Sequence, residues 1–367
     1  MAPLMSWSDL PEELLEMILR QPTHVVNLYH YRDVCRSWRS VADKLLASSP
    51  PHLFVYEKSI ECVRLFNIFT GESSSCKIPE FKTRDGQPLL PRSVYSWHGW
   101  LAMDCMTTSD HRKNHDHHIF LCNPFSRARI RLPTLTLDHS VDTHDIKFLL
   151  SSKHTSPSSI NALAVRRSQF LKETLMFWKP GDEEWTPIVN PFEKPTWVVD
   201  IISYKGGFCS MDFSGNVTQF ELSPFPLAKE IPTRNTINNS ANLFYHASSY
   251  LVESMCGDLL MVHRCFYPQE FKVYRLDSER LEWDEITSLG DEAIFLAHNE
   301  SVCMRAGEST VYRQNCIYFT DDVLLLHILK QPRRADDFGV YDMANKTIRR
   351  FPHFFLCHDV PRHRWFM

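Results

Sequence analysis

The chain has 367 residues, of which 43% are hydrophobic and 23% are charged, so it can bury a sizeable core and is not a disordered protein. Lys and Arg number 40 against 44 Asp and Glu, which gives a net charge of −4 with no long block of one sign. This balance argues against a dedicated nucleic-acid or anionic-membrane binder and favours protein or small-molecule partners.

The glycines and cysteines exclude several common kinds of site. None of the 11 glycines lies in a phosphate-binding loop or in a hydrolase nucleophile elbow. The 11 cysteines include no CxxC pair for zinc or redox chemistry. The N-terminus has no signal-peptide pattern, and no apolar run is long enough to span a membrane. We therefore expect reduced thiols and a soluble protein of the nucleus or the cytoplasm.

Residues 4–49 have the pattern of a small helical domain. Pro11 suits the first turn of a helix, and Leu14, Leu15 and Ile18 recur at helical spacing. A short helix is expected at residues 25–31. A longer one is predicted by apolar residues that step by three and four positions: Val34, Cys35, Trp38, Val41, Ala42, Leu45 and Leu46. Because so small a domain has a weak core, its apolar residues are expected also to serve a partner.

Two phrases of this segment, residues 7–18 (WSDLPEELLEMI) and 31–41 (YRDVCRSWRSV), resemble the F-box of plant F-box proteins. The resemblance implies helices that dock on a Skp-type adaptor and, through it, on the cullin of a ubiquitin ligase. The residues that it implies for the adaptor interface are Leu10, Pro11, Leu14, Leu15, Ile18, Val34, Cys35, Trp38 and Arg39. The alternative is a helical cap on the larger domain that binds no partner.

From residue 52 to residue 360 the apolar period is two, which predicts an all-β domain. A hairpin with an Asn, Asp or Pro turn recurs six times, at intervals that average about 50 residues, as in kelch-like blades. The six copies are residues 65–79, 121–133, 177–188, 220–232, 273–286 and 340–352. Other strands precede several copies, and four strands per repeat is the unit of a β-propeller. The predicted fold is therefore a helical domain followed by a six-bladed propeller, and the rival is a pair of stacked β-sandwiches.

Two details extend this prediction. The strand at residues 53–56 is expected to complete the last blade, near Val340. Phrases such as residues 98–101 (HGWL), 123–127 (NPFSR) and 200–206 (DIISYKG) also resemble the C-terminal domain of a plant F-box family that is sometimes called kelch-like. The two resemblances together cover nearly the whole chain.

Three features could carry chemistry, and each has a plainer interpretation. His115, Asp116 and His117 could bind a metal, but a solvated loop is commoner. Asp321 and Asp322 could pair, but adjacent strand residues point to opposite faces. The basic tail from Lys330 could attract an acidic partner or be a solvated face. We expect no metal, no cofactor and no catalytic residue.

The resemblance thus implies a substrate receptor of a Skp–cullin–F-box ubiquitin ligase, with an unknown target protein held by the propeller. The proposed target loops are residues 107–118 and 234–242. Two alternatives stay open, an enzyme with a site in the propeller channel and a scaffold without ligase function. Burial of Leu14, Leu15, Ile18 and Trp38 within the chain would favour the scaffold, and an exposed apolar patch would argue against it.

Overall fold

A computed structural model describes residues 7–20, 25–57, 62–97, 99–107, 116–136, 146–151, 160–166, 174–188, 198–212, 214–222, 227–231, 233, 247–266, 269–297, 301–307, 310–320, 338–351 and 364–366. In these residues a helical unit is followed by six β-sheets. The predicted fold class, a small helical domain and a six-bladed propeller, is confirmed.

The helical unit consists of a 3-10 turn and three α-helices: Trp7–Asp9, α1 (Glu12–Leu19), α2 (Val25–Tyr31) and α3 (Arg36–Ser48). Pro11 immediately precedes α1, and Glu12 and Glu13 in its first turn suit the positive end of the helix dipole. The helices enclose one core, made by the buried side chains of Leu15, Leu19, Leu28, Trp38, Val41, Ala42 and Leu45. No helix among the described residues has the length and apolar character needed to cross a membrane.

The first three blades follow in chain order. Their strands are β1 (His52–Glu57), β2 (Cys62–Phe66) and β3 (Ser73–Lys77), then β4 (Phe81–Lys82), β5 (Pro88–Trp97), β6 (Trp100–Thr107), β7 (Asp116–Cys122), β8 (Arg129–Arg131) and β9 (Leu135–Thr136), and then β10 (Ile146–Leu150), β11 (Ala162–Arg166), β12 (Thr174–Trp178) and β13 (Thr186–Pro187). Within each of these blades the principal strands pair in antiparallel fashion with their chain neighbours.

The last three blades complete the ring. Their strands are β14 (Val198–Tyr204), β15 (Gly207–Asp212), β16 (Val217–Glu221) and β17 (Leu227–Ile231), then β18 (Ala247–Glu253), β19 (Leu259–Phe266), β20 (Gln269–Asp277) and β21 (Glu282–Ile286), and then β22 (Glu292–Leu296), β23 (Val302–Arg305), β24 (Cys316–Phe319), β25 (Gly339–Asp342) and β26 (Thr347–Arg350). The sixth blade is irregular, because β22 pairs in parallel with β24, while β23, which pairs antiparallel with β22, lies at the end of the sheet.

The six repeated hairpins of the sequence are the two outermost strands of the six blades. They are the pairs β2–β3, β7–β8, β12–β13, β16–β17, β20–β21 and β25–β26. We call these pairs, with their turns, the outer hairpins. The periodicity therefore located the outer half of every blade correctly.

The expectation that residues 53–56 complete the last blade is wrong. A final strand, β27 (Arg364–Phe366), pairs with β1 instead and becomes the inner strand of the first blade. The strand β27 thus completes the first blade, and it lies beyond residue 360, the predicted end of the β domain. Trp365 fixes this closure, since its indole N–H donates to the carbonyl of Leu296 in the sixth blade at 2.8 Å.

A buried ion pair joins three inner strands. Asp200 on β14 accepts a hydrogen bond from Lys147 Nζ on β10 at 2.6 Å, and its other oxygen accepts one from the backbone N–H of Leu251 on β18 at 2.9 Å. Lys147 and Asp200 are both buried. Because each charge has a close partner, the pair can exist in the interior and ties blades three, four and five together.

Candidate functional site

The helical unit presents an exposed apolar surface although its own core is complete. Eight large hydrophobic side chains are exposed among the described residues, and five of them belong to this unit: Trp7, Leu14, Met17, Ile18 and Val34. We call these five residues the apolar helical surface. Exposed groups of this kind mark sites of protein interaction more often than scattered single residues do.

The local sequence explains where this surface lies. Leu14, Met17 and Ile18 are three and four residues apart on α1, so they share one helix face. Trp7 is held beside the first turn of α3, because the indole N–H of Trp38 donates to its carbonyl at 3.0 Å. Val34 lies just before the same turn and is 55% exposed. The apolar helical surface therefore involves α1 and the start of α3.

The residues predicted for the adaptor interface divide into three groups. Leu14, Ile18 and Val34 are exposed, as are Pro11 and Arg39. Leu10 and Cys35 are half-buried at the edge of the helical core. Leu15 and Trp38 lie inside that core, with 0% and 8% of their surface exposed. The described contacts thus place these two behind the surface, where they hold it in shape.

Sequence reasoning missed Trp7 and Met17 as members of this surface. Met17 is 65% exposed and Trp7 is 68% exposed. Met17 lies three residues after Leu14, so the helical spacing that selected Leu14 and Ile18 could also have identified it. Trp7 precedes α1, and its position depends on the contact with Trp38, which spacing along the chain does not show.

Ion pairs fix α1 and α2 on α3. Arg20 and Lys44 both approach the carboxylate of Glu16, at 2.6 and 3.3 Å, and their hydrogen bonds lower its pKa. Arg32 after α2 pairs with Asp43 of α3 at 2.6 Å. These contacts are solvent-exposed and contribute little stability individually. Their value is geometric, because they set the positions of the helices around the apolar helical surface.

The helical unit also packs directly on the propeller. The ring of Tyr29 on α2 stacks on Phe125, in the turn between β7 and β8, with centroids 3.9 Å apart and an interplanar angle of 7°. Gly99, between β5 and β6, has φ +80°, and an added Cβ would lie 3.3 Å from the Tyr29 ring. A glycine there permits both the turn and the close approach of the tyrosine.

A small cavity of about 80 Å³ lies where the helices meet the first blade. Its lining includes Val25, Leu28, His52, Asn67 and Glu72. His52 is 7% exposed, and burial lowers the pKa of its imidazole to about 4, although a hydrogen bond to Pro50 and the charge of Glu72 act in the opposite direction. The junction therefore contains a neutral histidine at physiological pH.

The other sequence candidates are only partly described. His117 is buried in β7, with Nδ1 3.0 Å from the oxygens of Asp104, and Asp116 accepts a hydrogen bond from Thr136 at 2.9 Å. Within the described part of the chain, no group of three or more His, Cys, Asp or Glu could hold a metal ion. His115, the pair at residues 321–322 and the segments 108–115 and 234–242 lie outside the described residues.

Comparison with known proteins agrees with both halves of this architecture. Residues 7–48 match the F-box-like family model, and residues 65–342 match the KIB1-4 beta-propeller model. The F-box protein At2g26160 of Arabidopsis thaliana is 24% identical over 358 residues, covering 86% of this chain and 96% of the relative. The F-box protein At4g35733 of the same plant is 27% identical over 342 residues, covering 86% and 89%.

The propeller model covers well over half of the chain, and its boundaries fall inside the ring of blades described above. The F-box-like match covers the 3-10 turn and all three helices that build the apolar helical surface. This chain therefore belongs to the KIB1-4 beta-propeller family and carries an F-box-like domain at its N-terminus.

Proposed function

We propose that this protein is the substrate-receptor subunit of a Skp–cullin–F-box ubiquitin ligase. The observation that carries the proposal is the apolar helical surface on a unit whose core is already complete. The F-box-like match and the F-box relatives support a Skp-type adaptor as the partner that covers this surface. In this role the helices bind the adaptor, the propeller binds a target protein, and the target's lysines are brought close to a ubiquitin-loaded enzyme.

The chain itself supplies no catalytic group in this proposal. Its contribution is proximity, which depends on a fixed distance between adaptor and target. The stacking of Tyr29 on Phe125 supports such a fixed geometry, because it ties α2 to the second blade.

The cysteines support a reducing compartment, and we place the receptor in the nucleus or the cytoplasm. Ten described cysteines are free, and most of them are buried or half-buried. Burial raises the pKa of Cys122 and Cys209 to about 12, so these thiols stay protonated and unreactive.

The test is binding of the purified full chain to a purified Skp-type adaptor. Leu14→Glu combined with Ile18→Glu places two charges in the apolar helical surface without touching the helical core. We expect adaptor affinity to fall at least about tenfold, since each buried Leu or Ile side chain contributes roughly 1.5 to 3 kcal/mol.

Leu227→Glu combined with Val311→Glu is the matched control, because both residues are exposed and apolar but lie on the propeller, at 52% and 54% exposure. This variant should bind the adaptor like the wild type. Circular dichroism checks that each variant is folded. A folded wild type that does not bind the adaptor would overturn the proposal and favour the scaffold.

A further inference from the structure

The outer hairpins carry opposite charge on the two halves of the propeller. Blades six, one and two are consecutive in the ring, because β27 closes the first blade against the sixth, and blades three, four and five form the other half. In the described residues of the outer hairpins, the first half has eight Lys or Arg against three Asp or Glu. The second half has five Lys or Arg against eleven Asp or Glu.

The positive half, which we call the basic half-rim, consists of the outer hairpins of blades six, one and two. Its cations are Arg64, Lys77, Arg127, Arg129, Arg131, Lys346, Arg349 and Arg350, and its acids are Glu72, Asp116 and Asp342. The three arginines in the outer hairpin of the second blade are all exposed. The whole chain has a net charge of −4, so the net positive charge of the basic half-rim is opposite in sign to that of the chain.

The three arginines of the second blade's outer hairpin are exposed, and the charge of Arg131 also acts on Asp85. Within the described residues, Arg127, Arg129 and Arg131 have no carboxylate within ion-pair distance. Arg129 donates to the carbonyl of Glu80 at 3.3 Å, and the guanidinium of Arg131 lies 5.5 Å from the centre of the Phe120 ring. Stacking on an aromatic ring leaves the edge donors of a guanidinium available for a carboxylate.

The negative half compensates part of its own charge. In the fifth blade Arg280 forms ion pairs with Asp277, Glu282 and Asp284. Arg275 pairs with Asp258 at 3.4 Å. Arg275 and Arg280 of the fifth blade are thus engaged by acids of the same blade, whereas Arg127, Arg129 and Arg131 of the second blade's outer hairpin face solvent.

We propose that the basic half-rim binds an acidic segment of the target protein. This inference rests on the proposed function, since it assigns a chemical class to the target. The exposed arginines of the second blade's outer hairpin attract carboxylates and orient an acidic partner before contact. Arginine also forms bidentate hydrogen bonds with carboxylates, which gives geometric selectivity. The helices contact blades one and two, so a target bound here lies on the adaptor-binding side of the ring.

The probe is a fluorescent peptide in which Asp and Glu alternate with Gly and Ser, titrated with the full chain at low salt. A peptide of the same length with Lys in place of the acids tests the sign of the charge. We expect the acidic peptide to bind and the Lys peptide not to bind. Raising the salt from about 0.05 M to about 0.5 M should abolish binding, because it shortens the range of the electrostatic attraction.

The variants locate the binding surface. Arg127→Glu combined with Arg131→Glu should weaken acidic-peptide binding about tenfold or more, in line with the size of electrostatic steering effects. Lys179→Glu combined with Lys229→Glu changes the net charge equally but lies in the outer hairpins of blades three and four, where both lysines are exposed. This control should change binding less than about twofold.

Three results would overturn the inference. The first is an equal loss of acidic-peptide affinity in the two double variants. The second is the absence of acidic-peptide binding by a folded wild type, and the third is tighter binding of a single-stranded oligonucleotide than of the acidic peptide. The peptide titration contains no adaptor, and Arg127 and Arg131 lie outside the apolar helical surface. Failure of this inference and failure of the receptor proposal are therefore separate outcomes.

Discussion

Single indole groups join neighbouring blades. Trp185 in the third blade donates to the carbonyl of Pro133, which lies between β8 and β9 of the second blade, at 2.8 Å. Trp283 in the fifth blade donates to the carbonyl of Gly215 in the fourth at 3.0 Å. Both rings are buried. A tryptophan suits this place because it buries a large apolar surface and still satisfies its N–H. Which blade each of the two rings contacts is decided by the tertiary structure, because no local pattern in the sequence shows it.

Removal of the charge of Asp200 should destabilise the ring strongly. In Asp200→Asn the ammonium of Lys147 stays buried without its counter-charge, which typically costs about 3 to 5 kcal/mol of unfolding free energy. Urea denaturation followed by circular dichroism measures the loss. Asp291→Asn is the control. Asp291 pairs with Arg305, and the two side chains are 57% and 60% exposed respectively, so this ion pair should contribute less than about 1 kcal/mol. Equal losses would refute a special role for the buried pair.

His52 should make the junction of helices and propeller sensitive to acid. Burial lowers the pKa of its imidazole to about 4, below the value of about 6.5 in an unfolded chain. Between pH 4 and pH 6.5 the unfolded state binds a proton on His52 that the folded state does not bind. The contribution of the neutral His52 to stability is therefore fully present above pH 6.5 and is lost as the pH falls towards 4. This difference between the folded and unfolded pKa of His52 corresponds to about 3 kcal/mol of unfolding free energy.

The variant His52→Gln separates this effect from other titrations. Glutamine is polar but does not titrate, so the loss of unfolding free energy between pH 6.5 and pH 4 should be smaller in the variant than in the wild type. Denaturant titrations at a series of pH values give the comparison. Identical pH profiles for the two proteins would show that another group is responsible.

The outer hairpins could be predicted from the sequence because four of their turns share one hydrogen-bond pattern. Asn67, Asn123, Asp277 and Asp342 each accept hydrogen bonds from the backbone N–H groups two and three residues later, at 2.8 to 3.2 Å. Asn and Asp favour such turns through their short side-chain oxygens. Their recurrence marks the end of the first strand of the outer hairpin in blades one, two, five and six.

The contact of α2 with the second blade should govern how firmly the helical unit is held. Tyr29→Ala removes the ring that stacks on Phe125 and should cost roughly 2 to 3 kcal/mol of local stability. Hydrogen exchange should become faster in α2 while the inner strands of the propeller stay protected. Tyr29→Phe keeps the stacking and should lose much less protection in α2 than Tyr29→Ala. If exchange in α2 is unchanged in Tyr29→Ala, the contact does not hold the helices.

Closure of the ring depends on residues that are more than 300 positions apart. β27 pairs with β1, and the hydroxyl of Ser96 in the second blade donates to the carbonyl of Trp365. The Trp365 ring contacts Phe295 and Phe338 of the sixth blade. One strand of three residues therefore touches blades one, two and six. Closing a ring in this way pairs the edges that an open sheet would expose.

Trp365→Ala should open this closure. The side chain is 1% exposed, and truncation of a buried tryptophan typically costs about 3 to 5 kcal/mol. Trp365→Phe keeps an aromatic ring but loses the hydrogen bond to Leu296, so its cost should be nearer about 1 to 2 kcal/mol. Thermal unfolding measures both. An alanine variant as stable as the wild type would mean that the C-terminal strand does not secure the ring.

The sequence by itself determined the local features of this protein. It located the helical unit, the change to strand period after residue 51 and the six outer hairpins. It also identified Leu14, Ile18 and Val34, three of the five residues of the apolar helical surface. These features depend on the spacing of apolar side chains and on turn chemistry, which act over a few residues.

Only the tertiary structure decided the contacts between distant segments. It placed Leu15 and Trp38 inside the helical core, added Trp7 to the surface, reversed the expected closure of the ring and divided the outer hairpins into a basic and an acidic half. The pairing of β27 with β1 depends on register across the whole chain, and no local pattern encodes a register between strands so far apart. The charge asymmetry likewise becomes visible only when the sixth, first and second blades are neighbours.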